Sequence, residues 1–270
     1  MFAWLKNLKN QAILVYKKYI VMNIINTINK IKRRISSILI HKRINLNLNE
    51  PIISFTFDDV PNSGFENGMK ILKKYGYSGT YYISLGIKDN NNSEKPYFDR
   101  KYLQEVIDGG GELACHTFNH IHLYKANYNE VKTDLEKNQK TINELIPEGY
   151  TFKNFSYPYG EQSFTSKNII RNRYQTARGV QMGLNLGQID LYNLKACSME
   201  ENLGLTMFYE SIDNAIKLKG WLILFAHDVE KNHSEWGCTP EFFESIVKYC
   251  YDKKLKVLTI EKAVESFGIK

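Results

Sequence analysis

Ile52-Ile53-Ser54-Phe55-Thr56-Phe57-Asp58-Asp59, followed by Val60-Pro61-Asn62-Ser63-Gly64, decides how this chain is read. The apolar, alternating run has the two-residue period of a strand, and its Pro-Asn-Ser-Gly tail reads as a turn. Both aspartates then stand at a strand's carboxyl end, where α/β barrels collect ligands and catalytic groups. A second strand-like run, Gly111-Glu112-Leu113-Ala114-Cys115, leads straight into His116-Thr117-Phe118-Asn119-His120. Two imidazoles and one carboxylate make a three-ligand zinc set with a coordination position left open. The second aspartate is then free to act as a base. Taken singly, an Asp-Asp pair also suits a solvated turn or helix cap, and His-x-x-x-His also suits surface or core histidines.

A third run, Trp221-Leu222-Ile223-Leu224-Phe225-Ala226, ends in His227-Asp228, and Phe155-Ser156-Tyr157-Pro158-Tyr159-Gly160 lies between the second and the third. Strand patterns fall near residues 52–57, 80–85, 111–116, 153–156, 174–177, 195–198, 221–226 and 255–258. Helical patterns separate them, clearest at Asn129 to Leu145 and Pro240 to Tyr251. Such alternation predicts a parallel α/β sheet. Asp89 to Ser93 reads as a surface loop.

In this order the four segments resemble the polysaccharide deacetylase family, also called carbohydrate esterase family four. The matches are Thr56-Phe57-Asp58-Asp59, His116 through His120, the Tyr157-Pro158-Tyr159 segment, and Leu224-Phe225-Ala226-His227. The resemblance implies a distorted or incomplete (β/α) barrel over residues 49–270. It implies a metal-dependent hydrolase that removes N-acetyl groups from an amino sugar in a glycan or glycan precursor. Asp59, His116 and His120 would hold the metal, Asp58 would be the general base and His227 the general acid. The backbone N–H of Tyr159 would help to hold the oxyanion. Amide hydrolysis needs these parts: an activated water, a polarised carbonyl, and a proton for the leaving amine, which histidine's reference pKa of about 6.5 suits. Zinc follows from the ligand types, and cobalt or nickel also suits imidazole. The same residues would serve a related hydrolase acting on a formyl amide or an O-acetyl ester. A non-catalytic glycan- or membrane-binding relative is the third class.

Two features depart from the family pattern. The third motif usually begins with an arginine that orients the base, and Ser156 stands there. Arg178 or Lys195 would be the substitute cation, although each also reads as a solvated surface charge. The fourth motif, an aspartate-tryptophan segment, is not found. Asp228 adjoins His227 but would point elsewhere, because neighbours on a strand face opposite sides. Tyr81, Tyr82, Tyr157, Tyr159 and Trp236 are candidates for a sugar platform, each also suiting ordinary packing. Tyr157, Arg178 and Trp236 are the expected substrate contacts. Trp236-Gly237-Cys238-Thr239-Pro240, with Ala177-Arg178-Gly179 and Gly183-Leu184-Asn185, looks like a subgroup tied to surface-glycan biosynthesis. That likeness implies a lipid-linked, nucleotide-linked or nascent glycan as substrate.

Composition bounds the rest. The 270 residues, 43% hydrophobic and 13% aromatic, suffice for one barrel and an appendage. Cys115, Cys197, Cys238 and Cys250 form no C-x-x-C pair, so buried thiols are expected. Residues 1–50 carry ten Lys and Arg against Glu50 alone, a charge of +9; subtracting this from the +7 of the whole chain leaves −2 for the remainder. With no basic excess there, nucleic-acid binding by the main domain loses its electrostatic basis. The leader, residues 1–48, reads as a basic amphipathic helical extension. From Val21 to Leu39 apolar residues recur at steps of three and four, with Lys30, Arg33, Arg34 and Ser37 on the other side. Through residues 13–40 it would make peripheral contact with an anionic membrane, or pack on the barrel or on a second subunit of an oligomer. Lysines interrupt each apolar stretch too soon for a signal peptide or a membrane span, so a cytoplasmic placement is expected, with contact at the inner membrane face.

Overall fold

The computed structural model of the chain describes residue 27, residues 42–89 and residues 92–268, with side chains described outside 88–96. The helical extension expected over residues 13–40 therefore lies outside the described residues, Thr27 apart. Eight parallel strands build the main sheet: β1 (Ile52–Asp58), β2 (Thr80–Ile83), β3 (Glu112–Cys115), β4 (Asn154–Ser156), β5 (Thr176–Arg178), β6 (Cys197–Ser198), β7 (Trp221–Ala226) and β8 (Lys256–Val257). Their order is β6-β7-β1-β2-β3-β4-β5, and β8 pairs with the start of β1. The edge strands β5 and β6 share no ladder; a lone parallel bridge from Arg178 to Leu194 spans part of the opening. The result is an incomplete (β/α) barrel.

Helices cover its outside. A π-helical segment, Gly64–Met69, runs into α1 (Lys70–Lys74). It is followed by α2 (Lys101–Asp108), α3 (Tyr128–Leu145), α4 (Phe164–Arg171), α5 (Leu205–Leu218), α6 (Pro240–Asp252) and α7 (Ile260–Ser266). Local chemistry sets their starts. Asn127 and Glu130 form a reciprocal capping box at α3, and Thr239 caps α6 with Pro240 at its first turn.

Strand alternation divides the interior. Ile53, Phe55 and Phe57 of β1 pack outward with Leu72, Leu103, Phe243 and Ile246 in one buried cluster. Ile52 of β1 joins Tyr82, Ala114, Trp221, Ile223 and Phe225, with Ile260, Ala263 and Val264 of α7, in a second cluster inside the barrel. On the outer side Phe57 stacks on Tyr81 at 4.9 Å, and Phe65 stacks on Tyr81 and Tyr102 at 5.2 and 5.1 Å. Such pairs add about 0.5–1.5 kcal/mol each beyond burial. The close approach of the π-helical segment requires glycine at 68, where a Cβ would lie 2.6 Å from the Phe57 ring.

The inner face is unusually polar. At the amino-terminal ends of the strands, Glu112 accepts from Thr80 Oγ1 at 2.8 Å, Asn154 Nδ2 at 2.6 Å and the Glu261 N–H at 2.9 Å. Thr176 Oγ1 donates to Asn154 Oδ1 at 2.7 Å, and the Ile260 N–H to Thr80 Oγ1 at 2.9 Å. This network ties four strands to α7 and forms the barrel floor.

Two expectations change. The folded body begins before residue 49, because Arg43–Leu46 pairs antiparallel with Gly187–Asp190 and Leu46 is buried. Where a surface loop was expected, Lys88–Asp89 pairs antiparallel with Asn92–Pro96. The four cysteines are free and buried, and no helix among the described residues is long and apolar enough to cross a membrane.

Candidate metal centre and active site

The carboxyl ends of β1, β3, β4 and β7 converge on one cavity of about 720 Å³. The backbone around it is strained. Asp59, Val60, Thr117, His120 and Tyr159 all have φ between 49° and 66°, a region that non-glycine residues seldom occupy. Outliers clustered this way mark a place where tertiary structure holds side chains in set directions.

Those turns bring Asp59, His116 and His120 together, with one potential ligand atom from each within 4.8 Å of the others. Nε2 of His116 and of His120 lie 3.6 and 3.3 Å from Asp59 Oδ1. That oxygen is buried and has no hydrogen-bond partner. His116 Nδ1 lies 2.8 Å from the Ser156 carbonyl and so carries the proton, donating it to that oxygen. Its Nε2 lone pair is thereby aimed at Asp59. Burial, then the neighbouring Asp58, pushes Asp59 up to about 7. Burial takes His116 down to about 4, and burial with His116 takes His120 down to about 3. Two neutral imidazoles and an orphaned carboxylate oxygen in one small space fit a divalent cation.

The supports of this loop come from α3. Asp134 accepts from the backbone N–H groups of Phe118 at 2.6 Å and Asn119 at 3.2 Å, and from Asn119 Nδ2 at 2.7 Å. Asn138 donates to the Ile83 carbonyl at 2.9 Å and to Cys115 Sγ at 3.3 Å, and accepts from the Leu85 N–H at 3.1 Å. The sequence reading missed both. Their signal was present, because each is a polar residue on the buried stripe of α3 beside Val131, Leu135 and Ile142.

Asp58 is buried beneath the cluster, and Arg178 stands as its substitute cation rather than as a solvated surface charge or a substrate contact on the cavity lining. Its side chain is fully buried, and Nη2 bonds both carboxylate oxygens of Asp58. Burial drives the Asp58 pKa up, but the charges of Arg178, His116 and His227 and the Arg178 hydrogen bond outweigh it, so it sits below the usual carboxylate range. Lys195 is exposed.

His227 lines the same cavity from the end of β7, and its buried Nδ1 has no partner, consistent with the absent fourth motif. Asp228 turns away from it, accepting from Ser234 N at 2.5 Å and Ser234 Oγ at 2.7 Å. That contact folds the loop that presents Trp236, whose ring lies 6.5 Å from His227. Of the aromatic candidates, Tyr159 and Trp236 are each 51% exposed at the cavity mouth. Tyr159 stacks on His122 at 4.1 Å, and Glu161 holds His122 at 2.9 Å. Tyr81 and Tyr82 are core residues, and Tyr157 is buried with its hydroxyl donating to the Tyr192 carbonyl at 3.1 Å.

The polysaccharide deacetylase sequence profile matches residues 45–176, which hold Asp58, Asp59, His116, His120 and Tyr159. Residues 45–176, just under half of the chain, are thus similar to the polysaccharide deacetylase family. A bifunctional xylanase/deacetylase of Pseudobutyrivibrio xylanivorans is 28% identical over 222 residues, 82% of this chain and 32% of that protein. A peptidoglycan-N-acetylglucosamine deacetylase of Bacillus cereus is 29% identical over 153 residues, 56% of this chain and 50% of its own. The chain thus spans from a third to half the length of these two polysaccharide deacetylase relatives. Among solved structures, a family 4 acetyl xylan esterase of Clostridium thermocellum, in complex with a cobalt ion, has a TM-score of 0.59. It is 16% identical, with 81% of this chain and 93% of that one covered, a likeness of fold.

Proposed function

We propose that residues 42–268 form the catalytic domain of a metal-dependent hydrolase that removes N-acetyl groups from an amino sugar in a glycan or glycan precursor. One observation carries this reading: the orphaned Asp59 Oδ1 and two neutral imidazoles share a cavity with a buried carboxylate, Asp58, and a histidine, His227. Asp59, His116 and His120 would hold the cation, zinc by ligand type. When bound, it would supply Lewis acidity for the acyl oxygen and for the attacking water.

The chain's own residues do the rest. Asp58, kept ionised beside Arg178, accepts the water's proton. His227, which follows β7 next to Asp58 at the end of the neighbouring β1, gives a proton to the leaving nitrogen. The Tyr159 backbone N–H, fixed by its left-handed turn, donates to the tetrahedral oxygen. The exposed faces of Tyr159 and Trp236 flank the mouth, where pyranose rings would stack, and about 720 Å³ lies in the usual range for a small-ligand cavity. The similarity to a peptidoglycan-N-acetylglucosamine deacetylase and to a cobalt-bound acetyl xylan esterase supports an acetylated glycan and a divalent metal.

A second substrate, an O-acetyl ester, is favoured by the unpartnered Nδ1 of His227, since an alkoxide leaves with less help from an acid than an amine does. The test is acetate release from N-acetylglucosamine oligomers, peptidoglycan, a lipid-linked N-acetyl sugar and acetylated xylan, after chelation and with zinc, cobalt or nickel restored. Metal-dependent release from an N-acetylated substrate is expected. Release from xylan alone would move the reading to the ester, and release from none by metal-loaded protein would end it.

A further inference from the structure

Ser156 and Arg178 are in-register partners on the adjacent parallel strands β4 and β5. Residues paired this way project from the same face of a sheet, about 4.8 Å apart. Both are fully buried, and both touch Asp58. Ser156 Oγ donates to Asp58 Oδ2 at 3.4 Å, whereas Nη2 of Arg178 bonds both carboxylate oxygens and donates to Ser156 Oγ at 2.6 Å. The guanidinium is itself held on several sides. Nη1 donates to the Gly179 carbonyl at 2.9 Å, and Cζ lies 4.6 Å from the centre of the Phe225 ring and 5.0 Å from that of Tyr82. A cation fixed between two rings and a carbonyl fixes in turn the carboxylate that it grips.

A buried carboxylate needs such a partner, because an unpaired charge costs several kcal/mol in the interior. Ser156 supplies only a long, neutral hydrogen bond. We propose that Arg178 is the positioning residue for Asp58, aiming its carboxylate at the cavity from β5, and that positions 156 and 178 are interchangeable sources of that guanidinium. The inference rests on the hydrolase reading above, in which Asp58 accepts the proton of the attacking water. It follows from register: a guanidinium carried at 156 would start one strand away, on the same face, and reach the same carboxylate through the space that Arg178 now fills. Charge number, burial and depth are conserved in the exchange; only the strand of origin changes.

The test uses the full chain in three forms: wild type, Arg178→Ser, and the transposed double variant Ser156→Arg with Arg178→Ser. Each is followed by acetate release from N-acetylglucosamine oligomers, by metal stoichiometry and by melting temperature. Arg178→Ser should lower kcat by about 10²-fold or more, as removal of one fixed electrostatic partner does, with KM nearly unchanged. Its metal stoichiometry should match wild type, because Asp59, His116 and His120 are untouched. The transposed variant should regain kcat to within about tenfold of wild type. If Arg178→Ser does not fold, Arg178→Lys takes its place, and the transposed variant still decides. The proposal is overturned if the single variant keeps kcat within about threefold, or if the transposed one binds metal and melts like wild type yet stays as slow as the single. A metal-loaded wild type that releases no acetate from any substrate would instead bring down the hydrolase reading, and this role with it.

Discussion

The mouth and the floor of the barrel are both polar and buried, yet they are built in opposite ways. At the floor Glu112 and Asn154 have their side-chain oxygens paired, by Thr80, Thr176, Glu261 and each other. About 13 Å along β3, at roughly 3.3 Å per residue, the mouth leaves Asp59 Oδ1, His227 Nδ1 and Ser198 Oγ buried without partners. The backbone agrees. Five left-handed non-glycine residues surround the mouth, while the other two among the described residues, Lys219 and Lys254, sit where α5 and α6 end, an ordinary place for that conformation. A fold that can satisfy its buried polar atoms at one end and does not at the other has reserved the second end for a ligand.

Replacing one carboxylate at each end should separate the two roles. Asp59→Asn, which tolerates the left-handed conformation, removes a carboxyl that is buried, unpaired and repelled by Asp58. Metal should be lost and kcat should fall by about 10³-fold or more, while the metal-free protein melts no lower than wild type. A clear drop in its melting temperature would erase the contrast. Glu112→Gln should do the reverse. Its amide N–H₂ would face a donor, costing about 1–3 kcal/mol of stability, with kcat and metal content kept.

Acidity sharpens the same contrast. Burial raises Glu112 to about 7, against the hydrogen bonds from Asn154, Glu261 and Thr80 that hold it down. Between its ordinary value and that one, the folded state keeps a proton that the unfolded chain has released, so stability falls as pH climbs through this window. Gln at 112 should flatten that part of the slope, read from chemical denaturation at pH 5 and pH 8. At the mouth Asp59, raised to about 7, must lose its proton to serve as a ligand. Metal affinity should therefore drop by up to about tenfold per pH unit below that point, shown by titration at fixed ionic strength. The smallest effect belongs to the rim. Trp236→Ala should raise KM by roughly 2- to 10-fold, the value of about 0.5–1.5 kcal/mol of stacking, with little change in kcat.

The sequence exposed the mouth and hid the floor for a physical reason. Asp58, Asp59, His116 and His227 stand where apolar strand runs end, and His120 follows His116 at the spacing of a ligand pair, so type, spacing and position agree in the sequence. Asn154-Phe155-Ser156 and Thr176-Ala177-Arg178 show equally clean alternation, but there it misleads. Polar residues at every second position suggest a solvent-facing side, whereas here they face the closed interior and the apolar ones meet the helices. Arg178 reads from sequence as a solvated charge as well as the substitute cation that the structure puts on Asp58. Glu112, Thr80, Asn154 and Thr176 stand at strand starts and are joined by register alone, which no local pattern reveals. The platform aromatics divided likewise: nothing in Tyr81-Tyr82 distinguishes a stacked core from a binding face.

The most direct measurement is the metal content of dialysed wild type, His116→Ala and Glu112→Gln by elemental mass spectrometry after zinc has been offered. About one ion per chain in wild type and in Glu112→Gln, and none in His116→Ala, is the result expected of a ligand-holding mouth over a structural floor. Metal absent from wild type, or retained by His116→Ala, would contradict it.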